Sequence, residues 1–518
     1  MPQAKKVLHS NDYDILIIGG GINGCGIARD ASGRGYSVYL CEANDLASGT
    51  SSQSTKLIHG GLRYLEHYEF RLVREALTER EILWKIAPHI IYPMRFILPH
   101  HKGLRPAWLL RLGLFMYDHI GGRKKLPATK TIDLSSNETG RVLSQNFSKG
   151  FEYSDCAVDD ARLVTLNALD AFERGANINT QTKCIDMQRT EGHWAVTVED
   201  QITQKQKNIN ARIIINASGP WADNVLKTLD PTKHTKNIRL VQGSHIIVPK
   251  IYQHDRCYIF QNADDRIIFA IPYHDNFTLI GTTDHEYDGD PSETKITQSE
   301  IEYLCNSANE YFNEKIKPDD IVGTFAGVRS LYNDGASKAQ EATRDYVLRV
   351  DRPNPKVAPM INVFGGKITT YRRLAESMME RIEGLLEKSN DTNKGKWTKS
   401  ASLPGGDFAI DDFDTICSNL HNSYPFLSKQ ESRRYIKLYG TRSKNFLTVA
   451  KSYEDLGEFF SNGLYQAEVE YLINTEWAKT AEDILWRRTK LGLLFTTKEQ
   501  QILEKWLNSY FKKTNKLE

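Results

Sequence analysis

The chain has 518 residues, 67 Lys+Arg against 65 Asp+Glu for a formal charge of +2, and 40% hydrophobic residues. At roughly 150 residues per domain that length predicts two to four domains and a sizeable core, and the near-neutral balance argues against a general nucleic-acid binder. With 25% charged residues the composition is that of a globular protein, not a disordered or fibrous one.

No run of about 18 uncharged apolar residues occurs, so no membrane-spanning helix is expected. The 7 Cys are scattered without a C-x-x-C pair, which argues against a disulfide framework and against a zinc site and fits a reducing compartment; no metal is expected. Met1 to Asp14 is a short polar lead, too brief for an export signal.

Ile15 to Ile18 is a β-branched run ending in three glycines, Ile22 to Gly33 has helical composition, and Ser37 to Glu42 reads as a second strand: a βαβ unit. A long surface helix is expected over Glu66–Ile86, stopped by Pro88. Between about Lys183 and Phe277 the runs Trp194–Val198, Arg212–Asn216, Ser244–Val248 and Arg266–Ala270 alternate with polar turns and read as strands. A strand-Gly-Gly-helix pattern returns at Val363–Leu374. After a polar linker near Lys388–Lys399 the texture is helical, and Thr480 with Asp483 approximates a capping box.

The segment Gly19-Gly20-Gly21-Ile22-Asn23-Gly24 matches G-x-G-x-x-G directly after a strand, and Glu42 ends the next strand 18 residues beyond Gly24. Gly19 permits the turn, Gly21 lets backbone approach a pyrophosphate, Gly24 allows helix to pack on strand, and Glu42 can accept the ribose hydroxyls. The motif leaves NAD or FAD open. It is followed by a hydroxyl-rich loop, Ala47 to Ser54, along which an extended cofactor can run.

Three longer stretches carry a resemblance: Gly19–Gly26; Ser54-Thr55-Lys56-Leu57-Ile58-His59-Gly60-Gly61-Leu62-Arg63-Tyr64-Leu65-Glu66; and Phe364-Gly365-Gly366-Lys367-Ile368-Thr369-Thr370-Tyr371-Arg372. With Phe151–Cys156, Asn216–Trp221 and Gly281–Asp284 in the same order, the chain resembles the FAD-dependent, aerobic-type sn-glycerol-3-phosphate dehydrogenases over nearly its whole length. The resemblance implies FAD, a fold shared with amino-acid oxidases, a C-terminal helical cap domain, oxidation of a substrate hydroxyl to a ketone, electrons passed to membrane quinone, and a homodimer. Ser218 stands where the family usually has Thr, and Ser330 where it commonly has Pro; the first keeps the hydroxyl, and the second alters loop stiffness.

The expected architecture is therefore α+β. An α/β, Rossmann-like FAD domain (about 10–80, 150–220 and 355–385) is interrupted by an antiparallel-sheet substrate domain (about 85–145 and 225–350), and residues 391–518 form an all-helical cap. Cofactor contacts are expected from Gly19, Gly21, Asn23, Gly24, Glu42, Thr50, Ser51, Ser52, Lys56, Leu57, His59, Gly60, Gly61, Ala217, Gly219, Trp221, Gly366, Lys367, Ile368 and Thr369.

A phosphomonoester needs cationic donors, Arg forks above all, and Arg63, Arg329, Arg344 and Lys367 are the candidates, with Tyr64 and Thr283 beside them. Lys367 also stands where a helix N-terminus can meet the charge of a reduced flavin. The substrate hydroxyl must also lose a proton. His245, with an ordinary pKa near ~6.5, is the easiest base on chemical grounds. Lys367 is the alternative if burial lowers its pKa, and Arg329 is assigned orientation and charge stabilisation.

Residues 102–125 hold six Lys/Arg and one Asp, a local 6 − 1 = +5, around Trp108, Leu109, Leu110, Leu112, Leu114, Phe115 and Met116. Such basic flanks on an aromatic-rich segment suit an anionic membrane interface. The expected reaction is oxidation of sn-glycerol 3-phosphate to dihydroxyacetone phosphate, with quinone as acceptor and the enzyme held on the cytoplasmic face of the inner membrane. The alternative is an oxidase delivering the electrons to O₂.

Overall fold

The computed structural model describes residues 11–514 apart from 67, 102, 145–146, 231, 233–235, 263, 265, 336–344 and 387–394. Asp12–Ile18 and Val38–Cys41 pair in parallel, joined by the helix Ile22–Gly33. They sit inside a sheet ordered Val347–Asp351, Met360–Phe364, Gln206–Asn216, Asp12–Ile18, Val38–Cys41, Asn177–Asn179, to which Thr182–Arg189 and Trp194–Asp200 attach as an antiparallel extension. Because side chains alternate along a strand, Ile15 and Ile17 face the helices Ile22–Gly33, Asp160–Glu173 and Tyr371–Leu385, while Leu16 and Ile18 face Met187, Trp194 and Val196. Both faces are covered, which is why these strands read as continuous apolar runs.

The second sheet runs His285–Glu286, Ile238–Pro249, Phe277–Gly281, Ile267–Tyr273, Cys257–Gln261, Ile91–His100, Lys149–Val158, Leu57–Ile58, with Gly323–Tyr332 along Ile238–Pro249 and Lys130–Asp133 along Lys149–Val158. It is antiparallel except where Cys257–Gln261 meets Ile91–His100. Two expected boundaries shift here. Lys149–Val158, placed with the dinucleotide part by its position in the chain, pairs with Ile91–His100 from end to end. Val347–Asp351, placed mostly with the insert, edges the first sheet instead. Trp194–Asp200 and Gln206–Asn216, within the 150–220 stretch assigned to the FAD domain, lie in the first sheet. A fully buried strand carries no signal of which sheet it will join.

Local differences have similar causes. The helix expected from Glu66 begins at Phe70, after a tight turn over Leu62–Leu65, and its buried side includes Glu79 and Arg80. Arg80 reaches Asp155, which also accepts from the Tyr117 hydroxyl. The helix after Gly365-Gly366 opens with a 3-10 turn, Ile368–Thr370, before the α-helix Tyr371–Leu385. The C-terminal region has its own core around Leu420, Tyr435, Leu472 and Leu503 and is helical apart from one hairpin, Phe459–Ser461 with Leu464–Tyr465. Thr480 and Asp483 do cap each other, the Thr480 N–H donating to Asp483 at 2.9 Å and the Asp483 N–H to Thr480 at 3.2 Å. The turn they head, Asp483–Arg488, is π-helical.

Within the basic segment, the helix Ala107–Ile120 buries Leu114, Tyr117 and Asp118 and turns Trp108, Leu112 and Phe115 outward, Trp108 with 70% of its surface exposed. Lys125 pairs with Asp411, and Arg123 donates to the Leu126 carbonyl. No helix among the described residues is long and apolar enough to cross a membrane.

Candidate active site and dinucleotide cradle

One cavity of about 1860 Å³ runs from the glycine turn across to the second sheet, well above the ~300–1,000 Å³ of an ordinary small-molecule site. At its first end, Gly19 takes φ +113°, and a Cβ there would lie 2.6 Å from the Ala217 carbonyl oxygen, so only glycine lets the two strand ends approach. Gly21 faces the cavity and precedes a helix that no side chain caps, with the Ile22 N–H donating to Ser51 Oγ at 3.0 Å. A helix start of this kind presents N–H groups to an anion.

Glu42 accepts from the N–H of Gly20 at 2.7 Å and of Asn44 at 2.8 Å, one on each carboxylate oxygen. Each oxygen keeps a further acceptor site for a ribose hydroxyl. Burial raises the Glu42 pKa, and the two backbone donors oppose that rise.

Thr50, Ser51, Leu57, His59, Gly61, Ala217, Gly219 and Trp221 line the middle. Thr50 Oγ1 donates to the Val328 carbonyl at 2.6 Å and so ties the hydroxyl-rich loop to the second sheet. Beyond it come Gly366, Lys367, Ile368 and Thr369. Asn23 donates to the Gly365 carbonyl at 3.3 Å, while its Oδ1 is buried without a partner among the described residues. Such an orphaned acceptor, beside a Gly366 at φ +101°, fits a cofactor group that would satisfy it.

At the far end stand His245, Arg329, Tyr64 and Asp284. His245 is buried, its Nε2 lies 3.0 Å from Thr55 Oγ1, its ring stacks on Phe325 at 4.6 Å, and Nδ1 has no partner among the described residues. Burial, reinforced by the positive charges of Lys56 and Arg329, lowers its pKa to about 3, so at neutral pH the ring is uncharged. Arg329 meets Asp284 at 3.2 Å and donates to the Thr283 carbonyl at 3.2 Å. Lys367 Nζ lies 3.9 Å from the centre of the Tyr64 ring, a cation–π contact.

Five expected site residues sit elsewhere. Gly24 packs the helix, its would-be Cβ 2.0 Å from the Gly19 carbonyl oxygen. Gly60 donates to the Tyr117 hydroxyl at 2.8 Å and lies against Leu77. Lys56 turns away from the cavity to Asp160 at 2.8 Å and the Ser52 carbonyl at 2.9 Å, and burial lowers its pKa to about 8; Ser52 and Lys56 border a smaller cavity behind the loop. Thr283 is buried in the sheet, donating to Glu300 at 2.6 Å, and its neighbour Thr282 faces the cavity in its place. Both threonines lie just past the strand Phe277–Gly281, and Asp284 faces the cavity together with Thr282. Arg344 lies outside the described residues, as does the side chain of Arg63.

Other wall residues escaped the sequence reading. Thr55 lies inside a quoted motif but has no chemistry until the fold sets it against His245. Thr480, Glu482, Asp483 and Arg487 come from the C-terminal region, and nothing in chain order connects them with Glu42.

Fold and cavity together define a dinucleotide-binding oxidoreductase in which a second sheet roofs the reactive end. The family model "FAD dependent oxidoreductase" matches residues 14–355, and "C-terminal domain of alpha-glycerophosphate oxidase" matches residues 396–514. The chain belongs to the FAD-dependent oxidoreductase family, and its cofactor is FAD. It is 49% identical to a D-erythritol 1-phosphate dehydrogenase of Brucella abortus over 96% of this chain and 98% of that one. It is 48% identical to the aerobic glycerol-3-phosphate dehydrogenase of Escherichia coli over 96% and 97%. The FAD-complexed glycerol-3-phosphate dehydrogenase from Bacillus halodurans superposes with a TM-score of 0.74 at 27% identity, covering 96% of this chain and 94% of that one.

Proposed function

We propose that this enzyme oxidises sn-glycerol 3-phosphate to dihydroxyacetone phosphate, with FAD as immediate and membrane quinone as final acceptor. The observation that carries the reading is a neutral, buried His245 on the same cavity wall as Arg329 and Lys367, continuous with the dinucleotide cradle. FAD, when bound, supplies the two-electron acceptor. The hydroxyl proton passes to the neutral His245 ring, whose tautomer is set by the contact of Nε2 with Thr55. Arg329, braced by Asp284 and the Thr283 carbonyl, holds the charge left on the oxygen. Lys367, over the Tyr64 ring, binds the phosphate. His245 is taken as the base because its buried ring is uncharged at neutral pH.

A second substrate has its own support, since the D-erythritol 1-phosphate relative is as similar as the glycerol-3-phosphate ones. Both substrates carry a phosphate and vicinal hydroxyls, and they differ in length. Anaerobic mixing with each, followed by flavin absorbance, tests the reading. Bleaching by glycerol 3-phosphate with a higher kcat/KM than erythritol 1-phosphate supports it, the reverse preference replaces the substrate, and no bleaching by either overturns it. Reoxidation by a quinone analogue faster than by O₂, without peroxide, separates dehydrogenase from oxidase.

The outward stripe Trp108, Leu112 and Phe115 supports seating on the inner membrane, with Lys124 as the exposed charge beside it. Arg123 and Lys125 are engaged within the protein, so the apolar stripe carries more of the contact than the +5 count suggested. Flotation with anionic vesicles tests this: Trp108→Ser reduces binding more than Lys124→Glu.

A further inference from the structure

The first end of the cavity is closed by the C-terminal region, and the closure centres on one carboxylate. Asp45, three residues past the ribose-facing Glu42, is only 2% exposed. It accepts from Arg487 Nε at 2.7 Å and from both terminal nitrogens of Arg488 at 2.9 and 2.8 Å. Arg488 is fully buried and also donates to the Glu476 carbonyl at 2.7 Å, and the Glu476 carboxylate is gripped by Arg162 of the helix Asp160–Glu173.

The loop that carries Asp45 is pinned at its other points too: the Ala47 N–H donates to the Gly20 carbonyl at 3.1 Å and the Gln181 N–H to the Asn44 carbonyl at 2.7 Å. Arg487 itself lines the same cavity as Glu42. A buried carboxylate that loses its cations is strongly disfavoured, so the loop and the C-terminal region hold their native positions together.

We propose that the C-terminal region is part of the FAD site. Through Arg487 and Arg488 on Asp45 it fixes the loop that presents Glu42 to the adenosine ribose, so FAD binding and docking of this region strengthen each other. Such coupling is reciprocal by thermodynamic necessity. It adds to the family fold a dependence that the oxidoreductase region alone cannot have, because the cations on Asp45 among the described residues come from beyond residue 480.

The test uses the purified holoenzyme and the variants Arg488→Met and Arg487→Gln. FAD release after dilution is followed by recovery of flavin fluorescence, and Tm is measured with and without excess FAD. Release is expected to quicken on the order of tenfold in Arg488→Met, within the 5–150-fold span of typical inter-site couplings, and less in Arg487→Gln. The Tm gain from excess FAD should shrink in both variants. In the wild type, FAD should slow proteolytic release of a fragment spanning residues 396–514. Unchanged FAD release overturns the proposal, as does a Tm loss of equal size with and without FAD, which marks a purely structural cluster. If Arg488→Met does not fold, the same readouts on Arg487→Gln decide.

Discussion

The two ends of the cavity are built differently. The dinucleotide end is mostly backbone: a turn at Gly19, N–H groups at a helix start and one carboxylate, Glu42, within 24 consecutive positions. The substrate end is side chains, with Tyr64, His245, Arg329 and Lys367 brought from four distant segments of the chain. Backbone geometry tolerates no added atom, whereas a set of side chains loses function by degrees. Substitutions at the two ends should therefore fail in different ways.

The largest effect is expected at the backbone end. Gly24→Val places its Cβ about where the Gly19 carbonyl oxygen stands, 2.0 Å away, and overpacking against backbone leaves nothing flexible to yield. The purified protein should be colourless, with the flavin-to-protein absorbance ratio near zero; a yellow variant would erase the contrast. At the other end, His245→Asn should keep its FAD and lose about 10²–10⁴-fold in the rate of flavin reduction, the usual worth of a general base. Stopped-flow reduction at the wild-type rate would remove His245 from the chemistry. Arg329→Met is expected to lower kcat/KM on the order of 10²-fold, the scale of one lost charge-stabilising donor, again with flavin bound.

Thr55→Val is a smaller perturbation, expected to slow reduction roughly tenfold, about the worth of one hydrogen bond to the base. Its check is a slower step with KM little changed.

A separate effect is shared by two histidines and is read in stability. His245 and His89, both buried, have pKa values lowered to about 3, chiefly by burial. Between those values and the ordinary ~6.5, the unfolded chain binds more protons than the folded one. Stability is then fully present above about pH 6.5 and falls as pH drops toward 4, by up to about 1.4 kcal/mol per pH unit for each histidine. Denaturant midpoints at pH 7 and pH 5 check this, and His89→Gln should flatten the slope.

Much of the cradle was legible because its logic is local. The strand, the glycines and Glu42 lie within one βαβ unit, and the helix Ile22–Gly33 forms over the residues read for it. Lys56 and Gly60 sit in the same signature stretch but do not line the cavity, because adjacency in a motif does not fix which groups face it. Lys56 takes φ +60° and leaves the cavity for Asp160. Thr282 lines the cavity in place of Thr283, whose hydroxyl donates to Glu300 instead.

By itself the sequence determined the class of cofactor site, the two-sheet plan and the helical C-terminal region, since each depends on residue type and short-range spacing. Only the tertiary structure decided that Lys149–Val158 joins the second sheet, that Thr55 touches His245 and that Arg487 and Arg488 reach back to Asp45. Those contacts join residues up to 443 positions apart. Pairings of that kind are chosen by packing and by the need to neutralise buried charge, which no local pattern encodes.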